Sequence, residues 1–443
     1  MNASRKTVGF RGNPITLNQN PITDLDEQDA SGNFISPRDV IDDQFRNYGA
    51  ELKFLNNYSL GDKRATFLIG SKFFKSNNTS LQGPGSTGVD ANFDILTEEF
   101  PDYPNQSQFT FPNTNLAVFG ENIFYLSDKF SLIPGARFEY IRTVSEGSFN
   151  QVNFDLAGNP ISNEILRDDR DLTRSFLLLG LGAKYQISDR LQFIANLSQN
   201  YRSVTFSDIR VVNPTFIVDP NIVDERGFTA DMSIRGRLKN ILSYDLTAFS
   251  VLYSDRIGIV LDDRANRVRT NIGTALISGT EIFFSSNLLR WWKPDQRHHK
   301  LSVFMNGAFT ISEYLSSEEN NVEGRQVEFI PTVNIKTGLT YEYKNFSASY
   351  QWTYLSSQFT DAQNSERAGS GDQRSGIIGP IPAYGISDLT FTYKWKQFSL
   401  NSGINNLLDN DYFTRRATGY PGPGIIPSDG RSFFVGLKYT FEK

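Results

Sequence analysis

The stretch D-L-T-F-T-Y-K-W, from Asp388 to Trp395, alternates large apolar side chains with polar or charged ones. Successive side chains of a β-strand point to opposite sides, so this stretch places an apolar row on one face and a polar row on the other. The same alternation returns from Phe346 to Tyr354 and from Phe433 to Phe441. The apolar rows are largely aromatic, which is rare on the outward face of a soluble sandwich. The pattern therefore predicts strands that separate lipid from an enclosed polar interior, as in a transmembrane β-barrel.

The composition narrows the class of protein further. The 443 residues show no compositional break, which favours one repeated architecture over several domains. The hydrophobic content of 39% is low, and the chain lacks the run of about 18 apolar residues that a spanning helix needs. The aromatic content of 13% suits the girdles of a barrel wall. The absence of cysteine argues against a disulfide scaffold, and 44 basic against 49 acidic residues argue against a nucleic-acid partner.

Connections between the predicted strands alternate between tight polar turns and long loops rich in Gly, Pro, Asn and Asp. In outer-membrane barrels the short turns face the periplasm and the long loops face outside, which fixes the direction of every strand. The predicted tight turns are Leu60 to Lys63, Ser127 to Lys129, Ile187 to Arg190, Tyr343 to Phe346 and Trp395 to Gln397. The predicted loops include Lys75 to Asn113 and Ser203 to Glu225, and Arg290 to Lys300 is a longer connection on the turn side. About sixteen strands of the ~10-residue length that crosses a bilayer fit between these connections.

No group of residues has catalytic or metal-binding spacing, so no enzymatic role and no resident cofactor are predicted. His298 and His299 are the two histidines of the chain, and adjacent residues on a strand or turn point apart, which makes a poor chelating pair. The acidic run from Asp24 to Asp29 resembles a calcium loop only loosely, because Asp29 occupies the position that requires glycine. Both groups are predicted to be solvated surface.

Arginine side chains recur in the two long C-terminal loops. They are Arg367 and Arg374 in one loop and Arg415, Arg416 and Arg431 in the other. Their forked guanidinium donors suit a carboxylate-rich anion, and the alternative is pairing with neighbouring carboxylates or with lipopolysaccharide phosphates. Polar side chains on the inward face predict a wet or plugged lumen, and these are Asn334, Lys336, Glu342 and Gln351.

Several motifs resemble those of TonB-dependent outer-membrane receptors. G-I-N-N-L-L-D-N-D-Y-F, from Gly403 to Phe413, followed by a final alternating strand, resembles the terminus of that family. Further similar stretches are Asn115 to Phe124, Pro134 to Tyr140 and Asn271 to Glu281. Those most similar to the ferric dicitrate receptor branch are Phe329 to Pro331, Gln358 to Asn364 and Gly379 to Tyr384.

The resemblance implies a barrel of twenty-two strands around an N-terminal plug, with a TonB-contacting box ahead of the plug. Residues 1–443 match strands seven to twenty-two as a single barrel domain, so a partial barrel without plug, earlier strands or export signal is expected. The implied partners are outer-membrane lipid, the missing plug and strands, the TonB-ExbB-ExbD complex through the absent N-terminal part, and the barrel-assembly machinery. Phe441, with Tyr439 on the same face, resembles the assembly signal, although Glu442 and Lys443 follow it.

The function implied is TonB-dependent uptake of a ferric chelate of the citrate type across the bacterial outer membrane. Arg415 and Arg416 are the first candidates for ligand contact, followed by Arg374 and Arg367. The alternatives are a passive porin, since sixteen strands suit a porin as well, and a soluble all-β surface-binding protein. Because unpaired strand edges in hydrocarbon are costly, the chain is expected to be a fragment of a longer or split gene product, or to close as a smaller barrel.

Overall fold

An antiparallel meander of β-strands forms the molecule. The structure, a computed structural model, describes residues 2–11, 28–103, 106–154, 160–209, 216–239, 241–261, 267–296, 298–366, 376, 378–417 and 424–441. Among these residues, sixteen strands form a meander in which each strand pairs with the next: β1 (Asn2–Arg11), β2 (Arg38–Leu60), β3 (Lys63–Pro84), β4 (Ser107–Tyr125), β5 (Phe130–Phe154), β7 (Arg170–Ser188), β8 (Leu191–Arg202), β10 (Glu225–Leu238), β11 (Leu242–Leu261), β12 (Arg267–Asn287), β13 (His299–Ser317), β14 (Val333–Tyr343), β15 (Phe346–Leu355), β16 (Tyr384–Trp395), β17 (Phe398–Asn405) and β20 (Ser432–Tyr439). The predicted all-β class and strand number are confirmed.

Short strands and helical turns lie at the outer and periplasmic ends of the meander. The strand β6 (Pro160–Arg167) pairs with the outer part of β5, and β9 (Phe216–Val218) lies parallel to the outer end of β12. A separate hairpin consists of β18 (Phe413–Ala417) and β19 (Gly424–Pro427). The described helices are single turns, α1 (Phe206–Ile209) and α2 (Leu289–Trp292). None of the helices in the described ranges is long and apolar enough to cross a membrane.

The tight turns lie where the sequence predicts them. The β14–β15 and β16–β17 hairpins turn through two residues each, with Lys344 and Lys396 at φ 50°. Gly61 occupies the same left-handed region in the β2–β3 turn, at φ 61°. The long connection between β12 and β13 contains α2.

Several strands are much longer than the ~10 residues that the sequence predicts. β2, β3, β5 and β12 contain 23, 22, 25 and 21 residues, and the predicted loop from Lys75 to Asn113 is strand up to Pro84 and again from Ser107. In the outer part of β3 the buried face consists of the polar side chains Ser76, Asn78 and Ser80, so backbone pairing continues there while the apolar alternation that reveals a strand in the sequence disappears.

The registers keep the predicted faces continuous from strand to strand. Gln351 lies opposite Gly338 on β14 and Asp388 on β16, on the inward side. Outward side chains remain uncovered: Leu177, Leu179 and Leu181 on β7 are 54%, 52% and 46% exposed. These apolar rows are not buried between two stacked sheets, as a soluble sandwich would require. The outward apolar face predicted from the sequence is confirmed.

The edges of the sheet are formed by β1 and β20. Among the described residues, β1 pairs with β2 alone and β20 with β17 alone. Within the described residues the meander does not close on itself, so the smaller closed barrel, one of the two expectations drawn from the sequence, is not found there. All residues of β20 are exposed.

Packed cores occur at the outer end, where loops fold over the strands. One core joins the outer parts of β11, β12 and β13 to residues 318–332 and 356–366, and it consists of Val260, Ile272, Ala275, Ile277, Tyr314, Val322, Val327 and Ala362. A smaller core contains Val204, Ile209, Val218 and Ile222. The described parts of these connections are therefore packed against the outer ends of the strands.

Candidate ligand site

A polar cavity lies at the outer ends of β8, β10 and β11. Its volume is about 340 Å³, and its lining consists of Asn200, Tyr201, Arg202, Glu225, Tyr253, Arg256 and Ile257. The cross-strand partners Asn200, Gly227 and Tyr253 lie side by side on the inward face. The cavity therefore opens from the part of the inner wall that a solute from outside reaches first.

Gly227, between Asn200 and Tyr253, has no space for a side chain. A Cβ atom at this position would lie 2.8 Å from Asn200 Oδ1 and would clash with the backbone of Leu252. Asn200 donates through Nδ2 to Thr229 Oγ1 at 3.1 Å, while its buried Oδ1 has no hydrogen-bond partner within the described ranges. A buried acceptor without a partner is costly, so this atom is suited to receive a donor from water or ligand.

Arg202 is the accessible cation of the cavity. Its Nη1 donates to Glu225 Oε1 at 3.0 Å and its Nη2 to Asp208 Oδ1 at 2.9 Å, while 42% of its side chain remains exposed. Glu225 Oε1 also accepts the N–H of Ile257 at 2.9 Å, just after a register shift between Tyr253 and Ile257. The Glu225 carboxylate thus connects β10 to β8 and β11 and orients the Arg202 guanidinium.

A second arginine, Arg256, is tied to an outer connection. It donates through Nη2 to Glu328 Oε1 at 3.0 Å and through Nε to the Tyr314 hydroxyl at 3.2 Å, and that hydroxyl donates to Glu328 Oε2 at 2.7 Å. Burial and the Glu328 carboxylate raise the pKa of Tyr314, so the phenol stays protonated. Burial acts to lower the pKa of Arg256, but Glu328 and Tyr314 raise it overall. This network fixes the 318–332 connection beside the cavity.

The arrangement suits binding of a polar ligand and offers no reactive group. The two arginines are each balanced by carboxylates, so a ligand meets compensated charge, one partly exposed guanidinium and one free acceptor. No cluster of His, Cys, Asp and Glu side chains suited to a metal ion occurs in the parts of the chain that the structure describes.

Of the arginines chosen from the sequence for ligand contact, Arg415 and Arg416 are described and do not line this cavity. Arg415 is exposed on β18, and Arg416 donates to the carbonyl oxygens of Gly376 and Pro380 at 2.6 and 2.9 Å. Its guanidinium also lies 5.1 Å from the ring centre of Phe413. Arg416 thus joins the β18–β19 hairpin to the preceding loop. Arg367 and Arg374 lie outside the described residues, and the role of all four in ligand contact stays a prediction.

The remaining sequence predictions fall at the periplasmic end or outside the described ranges. Tyr439 ends β20, and its ring meets that of Phe441 edge-on at 4.7 Å. His299 Nδ1 lies 2.7 Å from the Tyr341 hydroxyl and the His299 ring stacks on Tyr343, which agrees with a position in an aromatic girdle. The acidic run from Asp24 lies outside the described residues, except Asp29, whose Oδ1 accepts the N–H of Ser31.

Arg202, Glu225 and Arg256 were missed by sequence reasoning. Arg202 directly precedes the predicted 203–225 loop and Glu225 ends it. Oppositely charged residues at the two ends of a long loop between adjacent strands are cross-strand neighbours, and this spacing is the signal that identifies the pair. The contact of Arg256 with Glu328 joins residues 72 positions apart and has no counterpart in local sequence.

Known proteins share this architecture. The family model described as TonB dependent receptor-like, beta-barrel, matches residues 4–407. The structure of the ferric citrate transporter FecA in the unliganded form is similar with a TM-score of 0.70 and 16% identity, over 92% of this chain and 56% of that chain. The ferric yersiniabactin uptake receptor FyuA from Yersinia pestis gives 0.67 and 14%, over 93% and 56%. The copper transporter OprC gives 0.66 and 17%, over 99% and 61%. The chain thus spans 56% to 61% of the length of these proteins.

Proposed function

Because this chain belongs to the TonB-dependent receptor β-barrel family, we propose that it forms the barrel wall and part of the outer ligand site of a receptor that takes up a ferric chelate. The chain is located in the bacterial outer membrane, as the barrels of this family are, and its strands turn their apolar faces toward lipid. Members of the family are receptors and transporters. In this proposal the ferric chelate is the ligand that the receptor transports.

The observation that carries the proposal is the partly exposed Arg202 in an inward-facing polar cavity at the outer end of the wall. An anionic chelate loses water when it enters such a cavity, and charge-assisted hydrogen bonds from a guanidinium replace that water. Asn200 Oδ1 adds an acceptor for a hydroxyl group of the chelator. A ligand that satisfies both contacts carries carboxylate and hydroxyl groups. An α-hydroxycarboxylate chelate of the citrate type has both.

The citrate assignment draws further support from the ferric citrate transporter among the similar structures. The other two named structures are a ferric yersiniabactin receptor and a copper transporter, which carry different ligands on the same fold. The loop arginines Arg415, Arg416, Arg374 and Arg367 are proposed as additional contacts from the β17–β20 and β15–β16 connections. Fold alone does not select among these ligands.

We also propose that residues 1–443 form one barrel domain that further strands and a plug complete. In support, β1 and β20 each have one strand neighbour among the described residues, and an unpaired backbone group in hydrocarbon costs several kcal/mol. Transport by the completed receptor would draw energy from the TonB-ExbB-ExbD complex acting on the plug. Phe441 and Tyr439 would guide insertion by the barrel-assembly machinery.

Titration of the detergent-solubilised chain with ferric citrate tests the ligand assignment. Asn200→Leu fills the cavity and Arg202→Lys removes the forked donor, and each should weaken binding at least about tenfold, because one or more charge-assisted contacts are lost. Gln192→Leu, on the inward face of β8 near the periplasmic turn, is the matched control and should leave affinity unchanged. Unchanged affinity in both cavity variants would remove this site from the proposal.

Arg415→Ala tests the loop candidates separately, since this side chain is exposed and its removal leaves the carbonyl contacts of Arg416 intact. Weaker ferric citrate binding would add the β18–β19 hairpin to the site. Planar-bilayer conductance tests the porin alternative, because a passive porin conducts small ions steadily without ligand.

A further inference from the structure

The connection between β12 and β13 concentrates cationic and aromatic side chains at the periplasmic end of the wall. From Asn287 to Lys300 it reads N-L-L-R-W-W-K-P-D-Q-R-H-H-K, with four cationic side chains, one carboxylate, both histidines and two of the four tryptophans of the chain. In α2, 76% of Trp292 and 41% of Trp291 are exposed. The Trp291 indole N–H donates to Ser286 Oγ at 2.9 Å, which fixes that ring at the end of β12.

An outward-facing aromatic row continues from this connection to the last strand. The cross-strand pairs of the row are His299 with Tyr343, Tyr343 with Phe346, Phe346 with Tyr393, Trp395 with Phe398, and Phe398 with Tyr439. The His299 and Tyr343 rings stack with centroids 4.3 Å apart. Since aromatic rings of this kind occupy the membrane–water interface, the row marks the level of the periplasmic headgroups.

The tight turns just beyond this level differ in charge between the two halves of the sheet. Three turns of the first half contain Asp followed by a cation, namely Asp62-Lys63, Asp128-Lys129 and Asp189-Arg190. Three turns of the second half contain Lys followed by an amide, namely Lys239-Asn240, Lys344-Asn345 and Lys396-Gln397. The second half therefore has positive charge that no neighbouring residue in the turn balances.

Two of these lysines lie directly against the aromatic row. Lys344 Nζ is 5.3 Å from the Tyr343 ring centre and Lys396 Nζ is 5.7 Å from that of Trp395. Lys293, Lys344 and Lys396 form no ion pair with any residue in the described ranges. A ring face leaves the N–H donors of an ammonium free on the opposite side, where the headgroups begin.

We propose that this surface, the basic rim, formed by residues 287–296 of the connection with Lys344 and Lys396, binds the phosphate groups of anionic phospholipids in the periplasmic leaflet. The tryptophans and the aromatic row lie at the membrane–water interface, and the cations contact the lipid phosphates at the same level. The rings face outward into the bilayer, so the surface fits a lipid already in the membrane. A soluble anion would find no enclosure at this exposed surface.

Quenching of tryptophan fluorescence by brominated lipids in vesicles measures the enrichment of anionic phospholipid at the basic rim. In a Trp352→Phe background, the remaining tryptophans, 291, 292 and 395, all lie at the basic rim. Dibrominated phosphatidylglycerol at a tenth of the lipid should quench their fluorescence at least about threefold more than the same fraction of dibrominated phosphatidylcholine, because each cation near an anionic surface adds attraction. About 0.5 M NaCl should abolish the difference, since it shortens the screening length.

Two triple variants test which cations cause the preference for the anionic lipid. Lys293→Gln with Lys344→Asn and Lys396→Asn should bring the quenching ratio to about one, and asparagine is chosen because it tolerates the positive φ of the two turns. The matched control, Lys63→Gln with Lys129→Gln and Arg190→Gln, removes three cations from the other half of the rim and should keep the preference. A ratio of one in the parent protein, equal loss in both triple variants, or displacement by millimolar inorganic phosphate would overturn the proposal. The salt measurement needs no variant and decides the question if the first triple variant misfolds.

Discussion

Arg174 and Asp224 form a bidentate ion pair, with Nε–Oδ2 at 2.7 Å and Nη2–Oδ1 at 3.0 Å. Both side chains are buried, with 11% and 7% of their surface exposed. Arg174 also donates to the Val204 carbonyl at 3.1 Å, and Asp224 accepts the Val204 N–H at 2.7 Å. Since Val204 begins the connection between β8 and β10 and Asp224 ends it, this pair fastens both ends of that connection to β7.

Arg174→Gln should release the 203–224 connection. The substitution leaves a buried carboxylate without its cation, which costs about 3 kcal/mol of local stability. Hydrogen exchange of residues 203–209 and 216–224 should accelerate by about a hundredfold, while exchange in β14 and β15 stays unchanged.

Arg142→Gln is the matched control, because Arg142 makes a similar fork with Asp171 but both side chains are about half exposed. An exposed pair contributes about 0.5 kcal/mol, so exchange should change little. Equal acceleration in the two variants would contradict the view that burial gives the Arg174 pair its strength.

The fold was predictable from the sequence where one face of a strand meets lipid. In β14, β15 and β16, period-two alternation identifies the strand, its inward face and its turns, because a one-residue slip would turn every apolar side chain into the lumen. In the outer part of β3, the buried face consists of the polar side chains Ser76, Asn78 and Ser80, so the apolar alternation vanishes and strand was read as loop. The physical cause is the loss of a lipid boundary, because without lipid a strand needs no apolar row of its own, and Phe109 and Phe111 of β4 supply the apolar packing on that face.

The candidate cavity was only partly predictable. An arginine-rich outer site was expected, but the arginines of the cavity, Arg202 and Arg256, lie on strand ends and not within loops. Their positions depend on pairing of β8 with β10 and on folding of the 318–332 connection against β11. Such contacts join distant residues, and no local pattern of a single sequence encodes them.

Tyr314→Phe should loosen the 318–332 connection without disturbing the wall. Tyr314 is fully buried, and its hydroxyl donates to Glu328 and accepts from Arg256. Removing that hydroxyl leaves Glu328 and Arg256 one partner short inside a packed core, at a cost of about 1–3 kcal/mol. Limited proteolysis within residues 318–326 should become faster. Tyr350→Phe, which removes a hydroxyl near Ser387 on the wall, serves as control and should leave cleavage of this connection unchanged.

Residues 85–103, which follow β3, contact Asp39 of β2 through Tyr103, and this contact should become less stable as pH rises. Burial raises the pKa of Asp39 from 3.8 to about 6, although hydrogen bonds from Gln82 and Tyr103 act to lower it. The folded state therefore binds this proton more tightly than the unfolded chain, and the associated stability is full below pH 4 and is lost as pH rises through 6. With part of the side chain in solvent, the change amounts to about 1–2 kcal/mol.

Hydrogen exchange near Tyr103, corrected for the intrinsic rate, should accordingly be slower at pH 5 than at pH 7. Asp39→Asn keeps the size of the side chain and removes its titration, so the pH difference should disappear in this variant. Persistence of the difference in Asp39→Asn would assign it to another group.

Neighbouring residues on β8 test which side of the wall meets lipid. Leu197 points outward near the middle of the membrane-spanning part and is 51% exposed, whereas Asn196 points inward and donates to Asp231 at 3.1 Å. Leu197→Arg should destabilise the protein in lipid by about 2–4 kcal/mol, because the charge must enter hydrocarbon. Asn196→Arg places the same charge beside the Asp231 carboxylate in the polar lumen and should cost less than about 1 kcal/mol. Denaturant unfolding in lipid vesicles measures both, and equal destabilisation would mean that the faces of the wall have been assigned the wrong way round.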